Sequence, residues 1–207
     1  MNFLAHLYLS GADPEIQVGN FIGDFVKGRM PENHFPERVA LGIHTHRLID
    51  HFTDSHPVVK NSKNRLRLKY RHYSGVIVDI FYDHFLARNW DTYHPTSLPD
   101  YAGNFYALTK LHENILPERA LQMLPHMMRH DWLTNYAHIE GIRRVLYGMS
   151  RRTAFDSKMD EATEDLLADY KNYEAEFTEF FPELMEKSNA FISTFDQKIE
   201  SCKTIQN

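Results

Sequence analysis

"HTHRLIDHFTDSHP", residues 44–57, holds four histidines and two aspartates in fourteen residues, and its meaning depends on which of them share a helix face. Residues four apart on a helix are neighbours, roughly 5–6 Å between Cβ atoms. As a helix, the stretch therefore aligns His46, Asp50 and Asp54. His44 lies two residues from His46 and faces elsewhere. Arg47 points about 100° away from His46 around the axis. The helical reading extends along the chain: apolar residues recur three and four apart, β-branched runs are scarce, and no Asn-Gly or Asp-Gly hairpin turn separates alternating segments. An all-α protein is expected, with helices at 1–9, 14–27, 36–55, 58–70, 76–92, 98–115, 117–149 with breaks, 158–180 and 183–202. Asp13-Pro14 reads as an N-cap followed by proline in the first turn, and Gly28 as the left-handed stop of the same helix. Pro36 begins the next helix, Pro57 limits it, and Pro117 and Pro125 cut the region that follows.

At 207 residues, 43% apolar and 25% charged, the chain fits one domain spanning 1–207. Cys202 is its only cysteine, which excludes an internal disulfide framework and points to a reducing cytoplasm. "MNFLAHLYLS" has no basic residue ahead of its apolar run, so no secretory signal is expected, and no segment reaches the length of a membrane span. The net charge of −5 hides an asymmetry. Lys60, Lys63, Arg65, Arg67, Lys69 and Arg71 form an acid-free basic strip, whereas residues 153–207 carry thirteen acids against five lysines. The chain as a whole is no nucleic-acid binder, and the strip is either a docking surface or a solvated helix face.

The device seen at His46 and Asp50 recurs on three other helices: Asn2 with His6, Asn20 with Asp24 in "GNFIGDFV", and Asp79 with Asp83 in "VIVDIFYDHFL". His6, Asp24, Asp79 and Asp83 are each set among apolar neighbours. Buried ionisable groups are costly unless paired or bound to a metal. A His/Asp set without cysteine suits Mn²⁺, Mg²⁺, Fe²⁺ or a catalytic Zn²⁺. Such an ion lowers the pKa of its water from about 15.7 to around 7 and neutralises a phosphoryl oxygen, so phosphate-ester hydrolysis is the favoured chemistry. Arg47 either clamps a phosphate or holds a carboxylate. His44 is a substrate-side candidate, and His51 and His56 read as surface residues. Phosphate loops, H-E-x-x-H, Glu-x-x-His and the serine elbow are absent.

"MNFLAHL" at 1–7, "GNFIGDFVKG" at 19–28, "GIHTHRLIDHFTDSHP" at 42–57 and "VDIFYDHFLARNW" at 78–90 closely resemble the acyl carrier protein phosphodiesterase family, relatives of the HD-type metal phosphohydrolases. The resemblance implies an HD-hydrolase-like helical bundle. It also implies hydrolysis of the phosphodiester between 4′-phosphopantetheine and a serine of holo acyl carrier protein, with Mn²⁺ as the usual metal. His6, Asp24, His46, Asp50, Asp79 and Asp83 fall on the family's motif positions as metal ligands, and Asp24, His44, Arg47 and His84 as catalytic candidates. His84 or His44 would protonate the leaving serine. Because acyl carrier proteins are acidic, the basic strip from Lys60 to Arg71 gains meaning as their docking surface. One departure stands out: HD enzymes carry histidine directly before aspartate, whereas Asp50-His51 and Asp83-His84 reverse the order, and the literal doublet His130-Asp131 lies outside the matching stretches. The rival readings are a phosphatase of small nucleotides and a non-catalytic metal-binding module.

Overall fold

The first two helices begin where a side chain satisfies their free N–H groups. Asn2 Oδ1 accepts from Phe3 N at the start of α1 (Phe3–Tyr8). Asp13 Oδ1 accepts from Glu15 N and Ile16 N at the start of α2 (Pro14–Ile22), with Pro14 in its first turn. The structure, a computed structural model, describes residues 1–205 and shows no strand among them; the Cys202 side chain lies outside the described residues. The chain continues through α3 (Glu37–Ser55), α4 (Pro57–Tyr70), α5 (Ser74–Arg88) and α6 (Trp90–Tyr93). It then forms α7 (Leu98–Leu111), α8 (Glu118–Arg129), α9 (Trp132–Asn135), α10 (Ile139–Ser150), α11 (Ala162–Ala168) and α12 (Tyr170–Ile205). One continuous apolar core runs from Leu4 and Leu7 of α1 through Phe81 and Phe85 of α5 to Phe177 and Phe181 of α12.

Three expected boundaries differ. α2 ends at Ile22 and gives way to a 3₁₀ turn, Gly23–Phe25, so Asp24 lies just beyond the helix; Gly28, with φ 94°, shapes the loop after it. Pro125 lies inside α8 rather than breaking it. Pro182 likewise lies inside α12, where two helices were expected. Pro182 is exposed, while Phe177, Phe180, Phe181 and Leu184 continue a buried stripe across it. Burying such side chains is worth roughly 1.5–3 kcal/mol each, more in sum than the roughly 3 kcal/mol an interior proline costs.

Three of the six cations of the basic strip, Lys63, Arg65 and Lys69, are paired inside the fold. Arg65 lies between Asp169, at 2.8 Å, and Glu176, with its guanidinium 4.3 Å from the centre of the Tyr173 ring. Lys69 pairs with Glu161 and Asp165, and Lys63 with Asp54 at 2.6 Å. The excess acid of the C-terminal third thus seams α11 and α12 to α4. Lys60, Arg67 and Arg71 are exposed and form no ion pair among the described residues.

α2 and α3 cross with their backbones touching. A Cβ on Gly19 would lie 2.0 Å from the Val39 carbonyl oxygen, and one on Gly42 would lie 2.3 Å from that of Ile16. This approach brings Asn20 and the Asp24 turn against His46.

Candidate metal centre

Five side chains from α1, α2, α3 and the 3₁₀ turn meet at the crossing: His6, Asn20, Asp24, His46 and Asp50. His6 is buried on α1, and its Nδ1 lies 2.8 Å from Asn20 Oδ1. The Asn20 amide nitrogen donates to the His6 carbonyl and to Ser10 Oγ, both at 2.8 Å, which turns its oxygen towards the His6 ring. The Nδ1–H of His6 is therefore the donor, and its Nε2 carries the lone pair. His46 Nδ1 lies 2.8 Å from the backbone oxygen of Asn20, which can only accept, so Nε2 of His46 is left in the same state. A Cβ on Gly23 would lie 2.2 Å from the His46 ring, so glycine there makes room for the imidazole. The two imidazoles stack with centroids 4.0 Å apart.

Both Nε2 atoms face carboxylates. Asp50 Oδ1 lies 3.2 Å from His6 Nε2, and Asp50 Oδ2 lies 3.2 Å from His46 Nε2. Asp24 Oδ1 also lies 3.2 Å from His46 Nε2, from the solvent side. Lone pairs facing lone pairs at that distance require a positive charge between them, either a proton or a metal ion. Without a metal, burial opposes a charged His46, yet its hydrogen bonds to Asp24 and Asp50 push it up to about 9. Burial and the neighbouring His46 hold His6 down. Burial works against an ionised Asp50, but His46 and His6 together keep its carboxyl well below the usual range. The hydrogen bond to His46 does the same for Asp24. His6, His46 and Asp50 offer ligand atoms all within 4.8 Å of one another, among the described residues the one group of three or more such side chains that does so. Two imidazoles and a carboxylate fit a divalent ion of borderline to hard character.

The other expected site residues are placed elsewhere. Asp83 is fully buried, and its oxygens accept from the backbone N–H groups of Asn2 at 3.2 Å, Leu4 at 2.8 Å and Ala5 at 3.3 Å. It caps α1 from across the fold. Burial pushes its carboxyl up to about 7 against the pull of the Met1 amino group and these amides. Asp79 lies 3.0 Å from the amino group of Met1. Their i,i+4 pairing is real, but it supports the start of α1 rather than the ion. His84 is buried with both nitrogens engaged, Nδ1 by the Tyr136 carbonyl at 2.7 Å and Nε2 by the Tyr170 hydroxyl at 2.9 Å. Arg47 donates to the carbonyls of Val26, Gly28 and Arg29, so it pins the loop after Asp24 rather than a phosphate or a carboxylate. Asp54 belongs to Lys63. His51 is exposed as expected, whereas His56 packs on Phe52 and Phe180. His44 remains half-exposed, 3.2 Å from Glu32. The doublet His130-Asp131 marks the junction of α8 and α9, where Asp131 has φ 42°. Asn20 was expected as a partner of Asp24; its actual task, orienting both imidazoles, has no sequence signature beyond a buried amide.

The sequence model of a family described as "Acyl carrier protein phosphodiesterase" matches residues 1–184. The chain belongs to the acyl carrier protein phosphodiesterase family. Relatives under that name include one from Photorhabdus laumondii, 36% identical over 189 residues that cover 91% of this chain and 95% of the relative. One from Escherichia coli is 36% identical over 91% of this chain and 98% of its own. One from Yersinia pestis is 32% identical over 91% and 97%. The phosphodiesterase family match thus runs far beyond residue 90, where the quoted motifs end, and reaches Leu184, which is buried on α12. No solved structure matches the chain. Among the described residues no helix is long and apolar enough to cross a membrane.

Hydrogen bonds that orient metal-binding imidazoles are worth roughly 10- to 100-fold in metal affinity or activity. Asn20→Ala is expected to weaken Mn²⁺ binding by about that factor, as read by calorimetry, with the α-helical circular dichroism retained. Because alanine keeps the backbone oxygen that faces His46, unchanged affinity would show that the Asn20 side chain does not set the His6 tautomer.

Proposed function

We propose that this protein hydrolyses the phosphodiester joining 4′-phosphopantetheine to a serine of holo acyl carrier protein, releasing the apo form, in the cytoplasm. The convergence of His6 Nε2, His46 Nε2 and the Asp50 carboxylate, with both tautomers set by Asn20, is the observation that carries this reading. We read the centre as a variant of the HD-type metal phosphohydrolase site in which histidine and aspartate stand one turn apart, as His46 and Asp50. These residues would hold Mn²⁺, with Mg²⁺ or Fe²⁺ as alternatives. Bound there, such an ion acidifies a water and draws charge from a phosphoryl oxygen.

The chain's own groups then divide the remaining work. Asp24, with its side chain 67% exposed, stands at the solvent mouth and is ionised at neutral pH, so it accepts a hydrogen bond from an approaching water and orients it. It is too acidic to protonate the leaving serine. His84 is excluded from that role by its two interior hydrogen bonds. His44, half-exposed and about one turn from Arg47 on α3, is the candidate proton donor.

Incubation with Mn²⁺ and holo acyl carrier protein, followed by mass spectrometry, is expected to show loss of the 4′-phosphopantetheine mass, and EDTA is expected to stop it. Turnover of nucleotides without that loss would establish the small-nucleotide phosphatase instead. No turnover of either would leave a non-catalytic metal-binding module.

A further inference from the structure

A groove of about 490 Å³ opens beside the metal centre, and Asp24 lines both. Its volume lies inside the roughly 300–1,000 Å³ range of small-molecule sites. One wall is a single stripe of α10, on which Gly141, Arg144, Val145, Gly148, Met149 and Arg152 recur at three- and four-residue steps. Phe3, Phe25, Trp132 and Tyr136 also line the groove. The lining is thus mainly apolar, with few polar side chains: Asp24, His130, and the amides of Asn2 and Asn135, which are held in place by hydrogen bonds to Tyr136 and to the His130 and Asp131 carbonyls. Arg144, with its side chain 71% exposed and its Nε 3.5 Å from Glu140, and Arg152, whose guanidinium lies 6.0 Å from the Trp132 ring, line the groove as well.

We propose that this groove seats the pantetheine arm of the substrate while its phosphodiester lies at the His6–His46–Asp50 centre, an inference that rests on the activity proposed above. Pantetheine is an uncharged, extended chain with a geminal dimethyl group, two amides and a terminal thiol. An apolar trough with sparse amides matches that chemistry, and it starts where the phosphorus must lie. The two arginines suit the acidic carrier protein from which the arm emerges. The groove also explains why α10 carries Gly148: a side chain added there meets no atom within 4 Å, so glycine is kept for space and not for packing.

Gly148→Leu directs a side chain into that space from a Cβ that meets no atom within 4 Å, and it improves the helix propensity of α10. A mismatch of one methylene in a fitted pocket is worth roughly 10- to 200-fold. The variant is expected to raise KM for holo acyl carrier protein about tenfold or more, with the Mn²⁺ binding isotherm as in wild type. Pantetheine alone, titrated into the wild-type protein, is expected to change tryptophan fluorescence, and Trp132→Phe to abolish the change. A wild-type KM in Gly148→Leu, or no Trp132 response to millimolar pantetheine, would overturn the assignment. The fluorescence arm needs no turnover, so it also decides the matter if Gly148→Leu fails to fold. If the wild-type protein leaves holo acyl carrier protein intact, the proposed activity fails, and that result is distinct from a groove that turnover shows to be irrelevant.

Discussion

Asp50→Asn is expected to lower kcat/KM for holo acyl carrier protein by roughly a thousandfold or more, because among the described residues no other carboxylate touches both buried imidazoles. Its two oxygens lie 3.2 Å from His6 Nε2 and from His46 Nε2. Asparagine keeps the shape but places an N–H against a lone pair, which satisfies one histidine internally and removes the reason for a cation to bind. The loss of several kcal/mol of charge stabilisation at the phosphoryl group corresponds to about that thousandfold. Mn²⁺ binding should fall with it. An NMR titration of the metal-free variant supplies a second reading. His46, pushed up to about 9 by the hydrogen bonds of Asp24 and Asp50 against the cost of burial, loses one of those partners and should titrate lower. In the wild-type metal-free protein the charged imidazole contributes stability that is whole below about 6.5 and is lost as pH rises through about 9. The variant should lose most of that contribution between those limits. Turnover within tenfold of wild type would remove the centre from the chemistry.

His46 and Asp50 were legible because one helix carries both, and a four-residue step is local geometry. His6 was legible as a costly polar residue in apolar surroundings; Asp24 was read the same way, but its side chain is 67% exposed and reaches His46 from a 3₁₀ turn and not from the helix expected around it. The same cost argument misassigned Asp79 and Asp83. An apolar helix shows that its acids need compensation, but not whether a metal ion or the N–H groups of another helix supply it. Here the compensating groups lie at Met1, Asn2, Leu4 and Ala5, nearly eighty residues away. His84 was obscured in the same way by Tyr136 and Tyr170. The basic strip was visible as charge, yet the pairing of Arg65 and Lys69 depends on how α11 and α12 pack against α4, which no local pattern reports. The groove was hidden for a further reason: its α10 stripe reads as core, and two glycines contribute shape without any chemical signal.

The opposite pattern is expected at Asp83, where alanine should damage the fold before it damages the chemistry. α1 has six residues, too few to hold itself together in water, and its first amides depend on a carboxylate supplied by α5. Removing that carboxylate leaves three inward-facing N–H groups without their acceptor. Each stranded donor costs about 1–3 kcal/mol, and partial relaxation of α1 limits the total to roughly 3–5 kcal/mol. For a chain of this size that is a fall in Tm on the order of 10 °C. The measurement belongs in EDTA, because a ligand role and a capping role then separate. A residue that only bound the ion would leave the metal-free Tm unchanged, whereas the cap lowers it with or without metal. Mn²⁺ affinity should fall as well, since α1 carries His6, but as a consequence of the frayed helix. A metal-free Tm equal to that of wild type would return Asp83 to the list of ligands.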